Sequence, residues 1–267
     1  MPRGDLAPKI SLAGVGKTFV TRDREVEALQ PIDLAIHDHE FVALVGPSGC
    51  GKSTILNLIA GLLQPNSGVV SYDGIAIGGL NRAVGYMTQK DTLLPWRTAA
   101  DNIRIALELK CRAVPRAEAN ARVAQMIGLV GLSGFERHYP AELSGGMRKR
   151  VALARTLIYE PETLLMDEPF GALDAQLKLL MLDQLQELTR QRHMTVVFVT
   201  HDLGEAITLA DRVVVSSARP GRIRTIRTVD MPRPRDVFRI RFTEDFAHLH
   251  EALWDELKDE VTRGTDV

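Results

Sequence analysis

The sequence predicts an α/β fold: a nucleotide-binding core on a mainly parallel sheet, an antiparallel β subdomain towards the N-terminus, and an inserted α-helical subdomain. Three observations carry this expectation. FVALV (41–45) is a continuous apolar run, fit for a strand buried on both faces, and it leads through GPSGCGKST (46–54) into an apolar pattern of helical spacing. LLM (164–166) and TVVFVT (195–200) repeat the buried-strand composition with a helical stretch between them, which is βαβ logic and implies parallel pairing with right-handed crossovers. From 91 to 159 helical patterns dominate and strand signals are scarce.

Taken in order, KISL (9–12) and IDLAI (32–36) read as short strands, the second with period-2 alternation. Ile55, Leu56, Leu58, Ile59, Leu62 and Leu63 form the helix after the glycine loop, and QPNSG (64–68) ends it. Strands are expected over 69–77 and 83–88, then helices over 101–110 and 117–129. A helix over about 175–190 separates the two later buried strands. Residues 212–217 and 223–229 flank ARPG (218–221), a hairpin. Phe246, Leu249, Leu253, Leu257 and Val261 form an apolar helical stripe, expected to pack back on the core. The domain expectation is a core with its β subdomain over 1–90 and 160–230, a helical subdomain over 91–159, and a short helical tail over 231–267.

Composition narrows the function classes. The chain has 267 residues, 45% hydrophobic and 25% charged, with a formal net charge of −1. No overall field steers it to nucleic acid or anionic lipid. The basic stretches 222–227 and 233–239 are expected to be solvated faces. Its two cysteines, Cys50 and Cys111, have neither pairing nor zinc spacing, which suits a reducing cytoplasm. MPRGDLAPKI has no apolar core of a signal peptide, and no apolar run approaches the roughly 18 residues of a spanning helix.

Gly46-x4-Gly51-Lys52-Ser53 is a P-loop pattern, here between a buried strand and a helix. Its glycines let successive N–H groups converge on phosphate oxygens, and the helix adds its positive end. Gly46, Pro47, Ser48, Gly49, Cys50, Gly51, Lys52, Ser53 and Thr54 are therefore the expected nucleotide-phosphate loop, which alone fits kinases, GTPases and motor ATPases and becomes an ATP-binding loop with the later motifs. Lys52 supplies a point charge at the β- and γ-phosphates, and the Ser53 hydroxyl a ligand for Mg2+. LLMDEP ends a strand in two carboxylates: Asp167 is placed to hold Mg2+ and Glu168 to orient or deprotonate the attacking water. His201 follows TVVFVT at the ligand edge of a parallel sheet and is expected to touch the γ-phosphate or the water. Gln89 ends another strand, where its amide oxygen reaches Mg2+ and the water.

LSGGM (143–147) opens a second phosphate-facing helix end, with Ser144 as N-cap and Gly145 and Gly146 permitting close approach of an anion. Val151, Ala154, Leu157 and Ile158 give that helix its buried stripe. One chain with two anion-binding ends suggests two chains sharing nucleotides.

These motifs, in this order from about Ile10 to Val229, resemble the ATP-binding cassette ATPases of ABC transporters, which have a RecA-like P-loop NTPase core. The resemblance comprises Walker A (46–54), the Q-loop glutamine Gln89, the LSGG signature (143–147), Walker B with its glutamate (164–168), the GALD D-loop ending in Asp174, and the switch histidine His201. It implies ATP hydrolysis and a head-to-tail homodimer in which Ser144, Gly145, Gly146 and Asp174 serve the ATP held by the partner. Phe19 resembles the aromatic that stacks on adenine. Met147 and Gly171 depart from the commoner glutamine and serine, which implies a tuned rate rather than lost activity.

DTLLPWRTAADNI (91–103) follows Gln89 with an apolar, aromatic and basic cluster. Leu94, Pro95, Trp96 and Arg97 are expected to dock a partner's helix, since Trp and Arg are common interface anchors. LLPW-R-T-x-x-DN, PFGALD, THDxxEA and MPRPRD resemble the nitrate, sulfonate and taurine importer branch. The implied partners are an integral membrane permease and, indirectly, a periplasmic or extracellular substrate-binding protein, with no nucleic acid. The implied location is peripheral, at the cytoplasmic face of the membrane.

Overall fold

A computed structural model describes residues 7–20, 24–109 and 114–265 of the chain. Cys111 and the last residue of the helix expected over 101–110 lie outside them, as does the side chain of Val261.

Strand β1 (Ile10–Val20) pairs antiparallel with β2 (Glu25–Ile36) and with β4 (Ser67–Tyr72), and β5 (Ile75–Ala76) adds an outer edge. The strand expected over 69–77 is broken at Asp73 and Gly74, whose positive φ of 49° and 75° makes the tight turn between β4 and β5. Strand β1 is much longer than the four residues expected. Its register shifts between Leu12 and Val15, around the left-handed Gly14, so its side-chain alternation is interrupted and the sequence pattern hides it.

The second sheet has the order β10-β9-β3-β8-β7-β6. Strands β3 (Phe41–Val45), β6 (Val84–Met87), β7 (Thr163–Asp167), β8 (Thr195–Val199) and β9 (Arg212–Ser216) run parallel, and β10 (Ile223–Thr228) returns antiparallel after the expected hairpin. Side-chain alternation divides the core in two. Phe41, Ala43 and Val45 face one apolar layer with Leu164, Met166, Val196 and Phe198. Val42 and Leu44 face the other with Leu165, Val197 and Val199.

Helix α1 (Lys52–Ile59) packs in the second layer between the two sheets. Helices α2 (Ala99–Glu108), α3 (Arg116–Leu129) and α4 (Gly145–Leu157) lie between β6 and β7 in sequence. In α4 the expected stripe of Val151, Ala154, Leu157 and Ile158 is buried. Helix α5 (Ala175–Gln191) joins β7 to β8, and α6 (Leu203–Leu209) joins β8 to β9. Helix α7 (Glu244–Thr265) buries Phe246, Leu253 and Leu257 in the first layer. Among the described residues, no helix is long and apolar enough to cross a membrane.

The basic stretches correct one expectation. Arg235 is 4% exposed, its guanidinium donating to the carbonyls of Ile207, Thr208, Ala210, Val229 and Met231. Arg224 and Arg227 pair with Glu260 and Glu256 of α7, and Arg233 with Asp211. These cations fasten the tail to the core rather than forming a solvated face.

Candidate nucleotide site

Every parallel strand that carries a predicted site residue delivers it at the carboxyl edge of the sheet: the glycine loop after β3, Gln89 after β6, Asp167 and Glu168 at β7, His201 after β8. The glycine loop wraps onto α1. Gly51 adopts φ 89°, and a Cβ there would stand 2.5 Å from Leu29 Cδ2 and 3.0 Å from the Ala28 carbonyl, so only glycine fits. The Lys52 ammonium donates to the carbonyl oxygens of Gly46 and Pro47, each at 2.8 Å, which seats the charge within the loop. Cys50 turns its thiol into the core, fully buried. A loop cysteine sealed in this way is unavailable to solvent oxidants.

The loop opens on a cavity of about 380 Å3 lined by Phe19, Ala28, residues 48–54, Gln89, Glu168 and Arg219. Phe19 is 36% exposed, and Lys17 Nζ lies 5.5 Å from its ring centroid. At the other end stand the carboxylates. Asp167 is 4% exposed, and burial pushes its carboxyl above the usual aspartate range, against the hydrogen bond from Ser53; the neighbouring Glu168 charge adds to the rise. Glu168 sits at φ 48° with its N–H held by the Val199 carbonyl at 3.0 Å. A non-glycine residue in that region is strained, and here it aims the side chain out of the sheet edge. Gln89 Nε2 donates to Glu168 Oε2 at 3.1 Å, and His201 Nδ1 lies 3.8 Å from Glu168 Oε1. Two side chains therefore converge on the Glu168 carboxylate. His201 remains open, with 67% of its side chain exposed.

Ser144 caps α4 by accepting from the Met147 N–H at 3.2 Å. Among the described residues, the cavity lining includes none of Ser144, Gly145 and Gly146. Gly146 instead faces the Ala172 carbonyl, 3.2 Å from where a Cβ would lie. Asp174 caps α5, accepting from the Leu177 N–H at 3.0 Å. The second helix end is thus exposed and not spent on the chain's own cavity.

Leu94, Pro95, Trp96 and Arg97 lie on a turn built by Asn102, a fully buried side chain. Its amide donates to the carbonyls of Leu94, Arg97 and Thr98, and its oxygen accepts from the Leu94 N–H. Trp96 is 71% exposed, and Arg97 pairs with Glu108 at 3.0 Å. Leu94 also lines a hollow of about 760 Å3 with Leu62, Leu80, Tyr86, Leu109 and Tyr159. That hollow is larger than the loop cavity and mostly apolar, and among the described residues no carboxylate lines it. Arg82 and Arg155 are its charged lining residues, whereas the loop cavity holds Lys52, Gln89 and Glu168.

Three contributions escape a linear reading. Arg219 reaches the loop cavity from the β9–β10 hairpin, far along the chain, and only the Pro-Gly turn after a buried strand hinted that this segment returns to the sheet. Asn102 looks like any polar helix residue. In α4, Lys149 donates to the Gln89 carbonyl, Arg148 pairs with Asp91 at 2.9 Å, and Arg155 donates to the carbonyls of Asp91 and Thr92. Basic residues on a half-exposed helix gave no sign of these ties.

Comparison with known proteins agrees with this geometry. The ABC transporter family model matches residues 29–171. The aliphatic sulfonates import ATP-binding protein SsuB of Bacillus cereus is 42% identical over 226 residues, 85% of this chain and 88% of that protein. The bicarbonate transport ATP-binding protein CmpC of Synechococcus elongatus is 45% identical over 230 residues, 85% of this chain but 34% of that longer protein. Among solved structures, the dimeric post-hydrolysis state of the ATP-binding cassette MJ0796, bound to ADP and Pi, superposes with a TM-score of 0.77. It is 31% identical and covers 84% of this chain and all of that one.

Proposed function

From the premise that this chain belongs to the ABC transporter family, as the ATP-hydrolysing subunit of an importer-type transporter, we propose a cycle in which two copies close head to tail around two ATP molecules. The cycle drives uptake of a nitrate-, sulfonate- or taurine-like solute through a separate membrane permease. The observation that carries the shared site is the split between the two helix ends. Lys52, Ser53, Gln89 and Glu168 line the loop cavity, with Asp167 bonded to Ser53 and His201 3.8 Å from Glu168 just behind that lining, while the capped end at Ser144 makes no such contact with it.

In this reading Phe19 stacks on the adenine, and the 46–54 loop with Lys52 holds the phosphates. Glu168 positions the attacking water and takes its proton, steadied by Gln89. His201 donates a hydrogen bond to the γ-phosphate as charge shifts toward the leaving oxygen. The partner's copies of the capped end and of the Asp174 turn complete the enclosure. Ser53, Asp167 and Gln89 fit Mg2+, because a buried carboxylate already paired with a hydroxyl is a hard oxygen set in need of a cation. The metal would neutralise charge on the β- and γ-phosphates.

Residues 91–159 are read as the helical subdomain that faces the permease, with the groove beside Leu94 and the exposed Trp96 receiving its helix. That places the chain peripherally at the cytoplasmic face, with a substrate-binding protein on the far side. The names of the matched relatives support both a sulfonate and a small inorganic anion as solute.

Glu168→Gln tests the shared site, since it keeps the nucleotide contacts and removes the base. With ATP it is expected to elute at twice the monomer mass and to revert when ATP is removed. A monomer at saturating ATP refutes the two-chain enclosure. Uptake of labelled taurine, an alkanesulfonate or nitrate by proteoliposomes holding the copurified permease assigns the solute.

A further inference from the structure

We propose that Lys178 is a positioning residue for His201, tying the helix that starts at the Asp174 turn to the loop that presents the histidine. This rests on the reading of His201 as a group that touches the reacting phosphate. The loop closes on itself in a ring of hydrogen bonds. Thr200 Oγ1 donates to Glu205 Oε2 at 2.6 Å, the Asp202 N–H donates to Thr200 Oγ1 at 3.0 Å, and the Glu205 N–H donates to Asp202 Oδ1 at 3.2 Å. His201 lies inside this ring, so its backbone is fixed on both sides while its imidazole stays exposed.

The ring depends on a charge that the core disfavours. Glu205 is 4% exposed and Thr200 2%. A carboxylate at that depth is costly unless paired, and its cation comes from another element. Lys178 Nζ lies 2.8 Å from Glu205 Oε1 and 3.3 Å from Asp202 Oδ2. Burial lowers the basicity of the ammonium, but the hydrogen bonds and charges of Glu205 and Asp202 outweigh it and leave its pKa raised. With Lys178 in place Glu205 remains an acceptor. The Thr200 proton then points to it, and the Thr200 oxygen is free to accept from Asp202. Burial raises the Glu205 carboxyl above the usual glutamate range and the Lys178 and Thr200 hydrogen bonds oppose that rise, so loss of Lys178 shifts Glu205 further toward the protonated form, whose O–H is a donor that the ring does not use.

The source of that cation gives the pair its meaning. Lys178 is one helical turn past Asp174, and its N–H bonds the Asp174 carbonyl at 2.8 Å. A shift of the 171–174 turn therefore carries the ammonium with it. The loop bearing His201 is referenced to that turn through the ammonium that Glu205 and Asp202 share.

The experiment uses the purified full chain as Lys178→Met, Lys178→Arg, Glu205→Gln, the double Lys178→Met/Glu205→Gln, and His201→Ala. Lys178→Met is expected to lower kcat about tenfold with the Kd for a fluorescent ATP analogue within about twofold, a split that marks loss of positioning rather than of binding. Lys178→Arg is expected to recover most of the rate. The double variant leaves no buried charge unpaired, so it is expected to regain the wild-type melting temperature but not kcat. Its 201 and 202 amides are expected to exchange hydrogen faster. A double variant that recovers kcat together with stability, or that leaves those amides unchanged, overturns the proposal. So does wild-type turnover by Lys178→Met while His201→Ala is inactive. Wild-type turnover by His201→Ala refutes the reading of the histidine instead.

Discussion

Asp167 shows what a site gives up in stability for chemistry. It is buried, and burial holds its carboxyl above the ordinary aspartate value of 3.8. A carboxyl whose folded pKa is raised binds its proton more tightly when folded. The stability of the nucleotide-free protein therefore falls as pH rises from the ordinary value through the folded one, and stays lower above it. Asp167→Asn removes that cost. The variant is expected to melt about 2–4 °C higher at neutral pH, a gain of about 1 kcal/mol, while losing about a hundredfold or more of Mg2+-dependent hydrolysis. Scanning calorimetry beside a phosphate-release assay measures both, and an unchanged or lower melting point refutes the charge argument. Residues of this kind were legible in the sequence because their context is local. A buried strand ending in two carboxylates reads the same in one dimension as in three. Arg219 and Asn102 were not, since the cavity wall and the carbonyls they serve are assembled from distant or unremarkable segments.

Helix α6 shows how far an element depends on what lies beyond it. Its amino end is held by the Thr200–Glu205–Lys178 ring, and the carbonyls of Ile207, Thr208 and Ala210 at its carboxyl end are taken by Arg235, a residue of the tail. Gln186 of α5 clamps the backbone of Arg235 from both sides. Arg235→Met keeps the stem but strips the donors from a cluster of buried carbonyls, which is expected to cost about 2–4 kcal/mol. Urea unfolding measures it, and a loss under about 0.5 kcal/mol, the ordinary surface value, refutes a structural role for the tail. Helices α1 to α5, α7 and the parallel strands followed from apolar period, with ends within a few residues, whereas the seven-residue α6 carried no expectation. The antiparallel sheet was less legible: bulges around Gly14 and the Asp73-Gly74 turn break the alternation that a strand otherwise displays. The 233–239 stretch read as solvated because charge predicts exposure until a set of carbonyls is known to await it.

At the scale of the molecule, the apolar groove and the Trp96 turn lie apart from the loop cavity, so coupling and chemistry can be separated by mutation. Trp96→Ala is expected to cut uptake in the reconstituted transporter by about tenfold or more and to leave ATPase of the isolated chain within about twofold, because a central aromatic anchor is worth a few kcal/mol to an interface. Uptake at the wild-type rate refutes the docking assignment. Two helix ends in one chain suggest paired half-sites, whereas the groove, whose walls come from α1, β6, α2 and α4, could not be read from any single stretch. The grip of Lys149, Arg148 and Arg155 on the 89–92 strap then acquires a further meaning. In the proposed two-copy cycle, the helix whose end would meet a neighbouring copy is bolted to the ribbon that leads from Gln89 to the groove. Each subunit would then work as a rocker, unable to yield to its twin without reshaping the socket proposed for a membrane helix.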